Sequence, residues 1–141
     1  MAKEVKTSTA MAETIGMPGR IMATARDRPV LIDSSAGRSG VQPGALTAGE
    51  TFLAALIGCG AVIVDATARE RGVNLAKAVF KAESGRYPED PSNYVYIKID
   101  VETEGVTQEE AEALVGAYKA ECPIFRLAER GSDVTVTVTA R

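Results

Sequence analysis

TAGETFLAALIGCGAVIVDATARERG, residues 47–72, decides how the rest of the chain is read. Thr47 and Glu50 stand at the spacing at which a hydroxyl and a carboxylate satisfy the first free amides of a helix. No charge follows Glu50 until Asp65, and Gly72 is a residue type that ends helices by turning left-handed. The pattern predicts a helix to about Arg71, roughly 36 Å long. Its middle is apolar on every face, so burial on all sides is expected. One small sheet covers only one side, and a chain of 141 residues has little left for the other. The simplest solution is a second copy packed helix to helix across a two-fold axis, so a homodimer follows from burial alone.

Working outward, the elements on either side are mostly strands. An edge strand is expected near Val5. Strands are expected at Arg20–Ala25 and Val30–Asp33, separated by the turn residues Asp27, Arg28 and Pro29. Residues 34–44, SSAGRSGVQPG, read as a loop. After the helix, Leu75–Arg86 and Tyr94–Glu104 alternate as strands do. In the second, Val95, Ile97, Ile99 and Val101 share one face, opposite Tyr96, Lys98, Asp100 and Glu102. Thr107 and Glu110 form a second capping box, and Ala111, Leu114, Val115, Tyr118 and Cys122 trace one helical stripe from it. Pro123 fits the first position of a further short helix through Ile124–Ala128. Asp133–Thr139 closes the chain as a strand with Val134, Val136 and Val138 on one face. Strands, long helix, two strands, helix, strand is an α+β order with a mostly antiparallel sheet. No repeat, linker or low-complexity segment interrupts residues 1–141, which read as one domain.

Composition narrows the chemistry. The chain has a net charge of −3, no Trp and no basic run, and residues 99–121 hold seven acids against the single Lys119. No nucleic acid is expected as a partner. The N-terminal residues lack the apolar core of a secretory signal, and no window reaches the ~18 consecutive apolar residues of a membrane span, so no membrane partner is expected. Two cysteines are too few for a disulfide-built fold, which makes a reducing, cytoplasmic setting the expectation. The most informative count is histidine, which is zero. That removes Ser-His-Asp and Cys-His catalysis, and two cysteines alone cannot complete a usual zinc ligand set. Neither a metal nor a cofactor is expected.

The chemistry left over centres on the cysteines. Cys59 lies about a dozen residues into the long helix, one turn from Ala55, Leu56, Val62 and Ile63. Apolar surroundings raise a thiol's pKa, which favours a plain core cysteine. The flanking Gly58 and Gly60 favour close approach by a substrate, or by another helix, at about 0.5–1 kcal/mol each relative to alanine. Both readings of Cys59 stay open on these residues. Cys122 precedes Pro123 and so falls at a helix N-terminus, where partial positive charge favours a thiolate.

The run GALTAGETFLAALIGCG, followed sixty-three residues after its cysteine by ECPIFRLAERG and a Val-rich strand, resembles the OsmC/Ohr family of osmotically inducible and organic hydroperoxide resistance proteins. The resemblance covers roughly residues 28–141, including VLID before the glycine-rich loop. It implies sheets wrapped around two long central helices in an intertwined homodimer. It also implies a thiol peroxidase acting in oxidative-stress defence. In that scheme Cys59 is the peroxidatic cysteine and Cys122 the resolving one, organic hydroperoxides are the substrates, and an external dithiol of lipoyl type is the reductant.

The family activates its buried thiol with an Arg held by a Glu, since an apolar site needs a compensating charge to hold a thiolate. Glu50 stands where relatives carry a helix-start Glu. The peroxidase branches place that acid ten residues before the cysteine, and here the gap is nine. Nine residues of straight helix turn about 900° and advance ~13.5 Å, which points Glu50 and Cys59 opposite ways. The capping box with Thr47 is an equal role for Glu50. For the Arg, Arg38 has the spacing of the OsmC branch, while Arg20, Arg26 and Arg28 are alternatives. A non-enzymatic reading stands beside the peroxidase: a dimer of this fold that binds an apolar small molecule or responds to redox state.

Overall fold

The computed structural model describes residues 2–34 and 44–141. They form strands Met11–Thr14 (β1), Arg20–Ala25 (β2) and Arg28–Asp33 (β3), helix Ala48–Arg71 (α1), strands Lys77–Gly85 (β4) and Tyr96–Glu104 (β5), helices Gln108–Glu121 (α2) and Pro123–Gly131 (α3), and strand Asp133–Ala140 (β6). The chain divides into two compact units, Met1–Thr51 and Phe52–Arg141, the division falling one turn into α1.

In the first unit β1, β2 and β3 make an antiparallel meander. The expected edge strand near Val5 is not formed. Met11 already pairs with Thr24, one residue from the end of β2, so nothing remains for Val5 to pair with, and it is 81% exposed. The turn between β2 and β3 is tighter than Asp27–Pro29. Ala25 pairs with Arg28, and Arg26 and Asp27 alone turn the chain, both at positive φ (49° and 60°). That is the primed hairpin geometry whose twist suits right-handed strands. Pro29 therefore lies inside β3, which is tolerated because β3 is an edge strand.

In the second unit β5 is the central strand, antiparallel to β4 and parallel to β6. The parallel pairing departs from the mostly antiparallel expectation at one place, because α2 and α3 carry the chain back before β6 begins. Register aligns one apolar face across three strands: Phe80, Val101 and Val138 in one row, Ala82, Ile99 and Val136 in the next. Ile97, Ile99 and Val101 are each 1% exposed, and burying a side chain of this kind contributes about 1.5–3 kcal/mol. Val95 precedes the strand and is half-exposed, whereas Thr103 continues the buried face.

The stripe expected on α2 is buried without exception: Ala111, Leu114, Val115, Tyr118 and then Cys122. Its capping box is complete, Thr107 accepting the Glu110 N–H and Glu110 accepting the Thr107 N–H. On α1 the buried residues are Leu56, Gly60, Val64, Thr67 and Ala68, a single stripe one turn apart. The opposite side, with Ala54, Ala55, Gly58 and Val62, is exposed in the single chain, Val62 at 70%. Burial on all faces, expected from composition, is thus not met within one chain. By length and composition alone α1 could cross a bilayer, but its buried stripe belongs to the core formed with the second sheet. Gly72 ends the helix at φ +66°, the left-handed position expected of it.

Candidate functional site

Two helix ends and one helix middle bring the cysteines together. Cys122 is the junction of α2 and α3. Its N–H donates to Tyr118 O and finishes α2, and its extended backbone (φ −76°, ψ 114°) breaks the helix as a residue before proline must. Pro123 opens α3, and Cys122 Sγ accepts the Phe125 N–H at 3.3 Å, so the thiol itself caps that helix. Cys122 is fully buried.

Cys59 reaches the same point from the middle of α1 and is half-buried against the core. The two sulfurs, 63 positions apart in sequence, lie 2.6 Å from each other, the Cys122 thiol directed at Cys59, and both thiols are free. A disulfide needs ~2.05 Å between sulfurs. The two glycines beside Cys59 differ in role. Among the described residues nothing lies within 4 Å of where a Gly58 side chain would be, whereas a Cβ at Gly60 would lie 2.9 Å from the rings of Phe80 and Tyr118.

Among the described residues, Cys59 packs against the hydrophobic core. Burial pushes the Cys59 thiol up to about 11, and the hydrogen bond and charge of Cys122 push the same way. Tyr118 is raised as well, by burial first and then by Cys122 and Cys59.

The remaining candidates belong to the first unit. Glu50 closes the capping box of α1: its carboxylate accepts the Thr47 N–H at 2.8 Å, and its own N–H donates to the Thr47 hydroxyl at 3.2 Å. Arg38 lies outside the described residues. Arg26 sits in the hairpin turn and Arg28 opens β3, both exposed. Arg20 is engaged: its Nε donates to Asp33 Oδ2 at 3.1 Å, and that oxygen also accepts the Gly44 N–H at 2.8 Å. Arg20, Met17, Pro18, Ile21 and Ile32 are among the residues lining a cavity of about 610 Å³ within this unit. Asp33, fully buried, was not singled out from sequence. Its signal was a lone acid closing the apolar strand VLID. Among the described residues no cluster of His, Cys, Asp and Glu could hold a metal ion.

No curated protein sequence matches the chain. Solved structures share the fold at low identity. An OsmC-like protein from Mycoplasma pneumoniae superposes with a TM-score of 0.81 at 13% identity, covering 96% of this chain and 97% of its own. An organic hydroperoxide resistance protein OsmC from Legionella pneumophila gives 0.75 at 21%, covering 97% and 99%. An organic hydroperoxide resistance protein from Elizabethkingia anophelis gives 0.76 at 16%, covering 99% and 100%. These similarities fix the architecture as an α+β fold with two small sheets. The sequence profile of the OsmC-like proteins matches residues 41–137, well over half of the chain and inclusive of both cysteines, so the chain belongs to the OsmC-like family.

Proposed function

We propose that the chain is a two-cysteine thiol peroxidase that reduces organic hydroperoxides at the expense of a dithiol. The observation that carries this reading is the 2.6 Å separation of Cys59 and Cys122 sulfurs in an apolar setting. Cys59, as thiolate, attacks the terminal oxygen of ROOH. The O–O bond breaks, RO⁻ takes a proton and leaves as the alcohol, and Cys59 becomes a sulfenic acid. Cys122 attacks that sulfur, water leaves, and a disulfide joins the pair. An external dithiol of lipoyl type, in a reducing cytoplasmic setting, then exchanges with the disulfide and restores both thiols. An apolar site suits organic peroxides better than hydrogen peroxide.

A thiol at about 11 is a poor nucleophile at neutral pH, so the cycle needs a cation beside Cys59. We assign that role to Arg38, with Glu50 holding it. We further propose that two copies pair through the exposed side of α1, where Ala54, Ala55, Gly58 and Val62 offer an apolar surface with little steric bulk. The chain is expected to consume cumene hydroperoxide in the presence of dihydrolipoate, and Cys59→Ser to abolish this. Consumption unchanged in that variant refutes the proposal.

The raised Cys59 thiol favours a second reading, a dimer of this fold that binds an apolar small molecule or senses redox state without turnover. Failure of the wild-type protein to consume hydroperoxide, with apolar ligand binding retained, selects it.

A further inference from the structure

A contact that neither cysteine makes links the two helices that carry them. Tyr118, fully buried, lies one turn before Cys122, and its hydroxyl donates to the Leu56 carbonyl at 2.9 Å. Leu56 lies one turn before Cys59, and its carbonyl is the helical acceptor for the Gly60 N–H. The bond therefore ties the turn of α1 that carries Cys59 to the turn of α2 that ends at Cys122. The ring is confined on several sides. Phe80 meets it edge-on at 6.0 Å between centroids, and Phe125, whose N–H donates to Cys122 Sγ, meets it at 5.0 Å. Gly60 supplies the notch, since a methyl there would press on the Tyr118 ring at 2.9 Å. A phenylalanine would fill the same space, so the hydroxyl is a separate feature, and its one hydrogen bond is spent on the cysteine-bearing helix.

We infer that Tyr118 is a positioning residue for the thiol pair: its hydroxyl link to Leu56, seated in the Gly60 notch, sets the effective concentration of the Cys122 thiol against Cys59 and so the dithiol–disulfide equilibrium. This rests on the reading that Cys59 and Cys122 cycle between dithiol and disulfide. Groups held in the reacting geometry have already lost the freedom that a loose pair must give up on bonding. Loosening the link lowers the stability of the disulfide relative to the two thiols.

The test needs no peroxide. The reduced protein is equilibrated with mixtures of oxidised and reduced dithiothreitol, quenched with acid and an alkylating agent, and weighed. The two thiols lose two protons and two electrons, the S–S bond forms between them, and the S–S bond of oxidised dithiothreitol breaks as it takes up those protons and electrons to become its dithiol. Tyr118→Phe keeps the ring and removes the link. It is expected to lower the equilibrium constant for the protein disulfide about tenfold, which is a rise of ~30 mV in reduction potential. Gly60→Ala, which fills the notch, is expected to shift it in the same direction and serves as the independent second variant. Thermal midpoints of both variants are measured in the Cys122→Ser background, where no disulfide forms. A merely structural tyrosine lowers those midpoints and leaves the equilibrium constant alone. If the wild-type protein forms the disulfide and both variants stay within twofold of it, the inference is overturned while the redox reading stands. If the wild-type protein forms no disulfide between Cys59 and Cys122 under any mixture, the redox reading falls, and the inference with it.

Discussion

Alkylation of Cys59 followed against pH, site by site in the reduced protein, measures how far this thiol is primed. Burial and Cys122 set its pKa at about 11. At pH 7 such a thiol is ionised in about one molecule in ten thousand, whereas an ordinary cysteine near 8.5 is ionised in about one in thirty. Alkylation proceeds through the thiolate, so an unassisted Cys59 reacts roughly 300-fold more slowly than a free cysteine and gains about tenfold per pH unit up to the midpoint. The proposed peroxidase requires the opposite in the intact protein, a midpoint below ~8.5, brought down by a cation beside the sulfur. Arg38→Ala is expected to return the profile to the one burial sets, slowing iodoacetamide at pH 7 by about 300-fold or more, with Arg26→Ala and Arg28→Ala as controls that leave it unchanged. A wild-type midpoint that stays near 11 refutes the reasoning that Cys59 is electrostatically activated. A low midpoint that survives Arg38→Ala removes Arg38 from the account.

The same thiol makes stability depend on pH. In the Arg38→Ala variant, where burial and Cys122 alone set the thiol, the folded protein holds the Cys59 proton up to about 11, while the unfolded chain releases it near ~8.5, so the folded state binds more protons in that window and stability falls as pH rises through it. Urea midpoints of reduced Arg38→Ala are expected to decline more steeply over this window than those of the same variant carrying Cys59→Ala; equal slopes contradict the buried-thiol description. Thr103 Oγ1 is buried without a hydrogen-bond partner, and Thr103→Val is expected to stabilise by about 1 kcal/mol, read as a higher urea midpoint. A lower midpoint would mean that the hydroxyl is satisfied. Val62, 70% exposed on the apolar side of α1, is expected to lie at the dimer contact, so Val62→Glu should sediment as a monomer with its unfolding otherwise cooperative; an unchanged sedimentation coefficient argues against this face.

Much of the scaffold was legible because local chemistry and tertiary packing agree. Thr47 with Glu50, Thr107 with Glu110, Gly72 and Pro123 each mark a helix boundary that the structure keeps, and the Ala111 to Cys122 stripe is the buried face of α2. The misread positions are those where pairing overrides local signal. Arg26 and Asp27 take positive φ without being glycine, and Pro29 reads as a breaker although an edge strand has room for it. The strand placed near Val5 belongs at Met11–Thr14, a matter decided by the length of β2. The site was legible in part. Both cysteines carry motif-level signals, but their meeting depends on Gly60 and Tyr118, residues that read from sequence as a place of close approach and as one member of the α2 stripe. The Asp33–Arg20 pair joins residues from two strands, and only the hairpin register brings them opposite each other.

The central claim is that Cys59 and Cys122 form one redox centre that organic hydroperoxides oxidise. It is tested most directly by treating the reduced protein with a stoichiometric amount of cumene hydroperoxide and measuring the intact mass and its tryptic peptides. The account predicts a loss of two hydrogens and a peptide pair joined through Cys59 and Cys122. Two thiols that both remain open to alkylation after treatment, or oxygen added to Cys59 with Cys122 untouched and no cross-link, would contradict it.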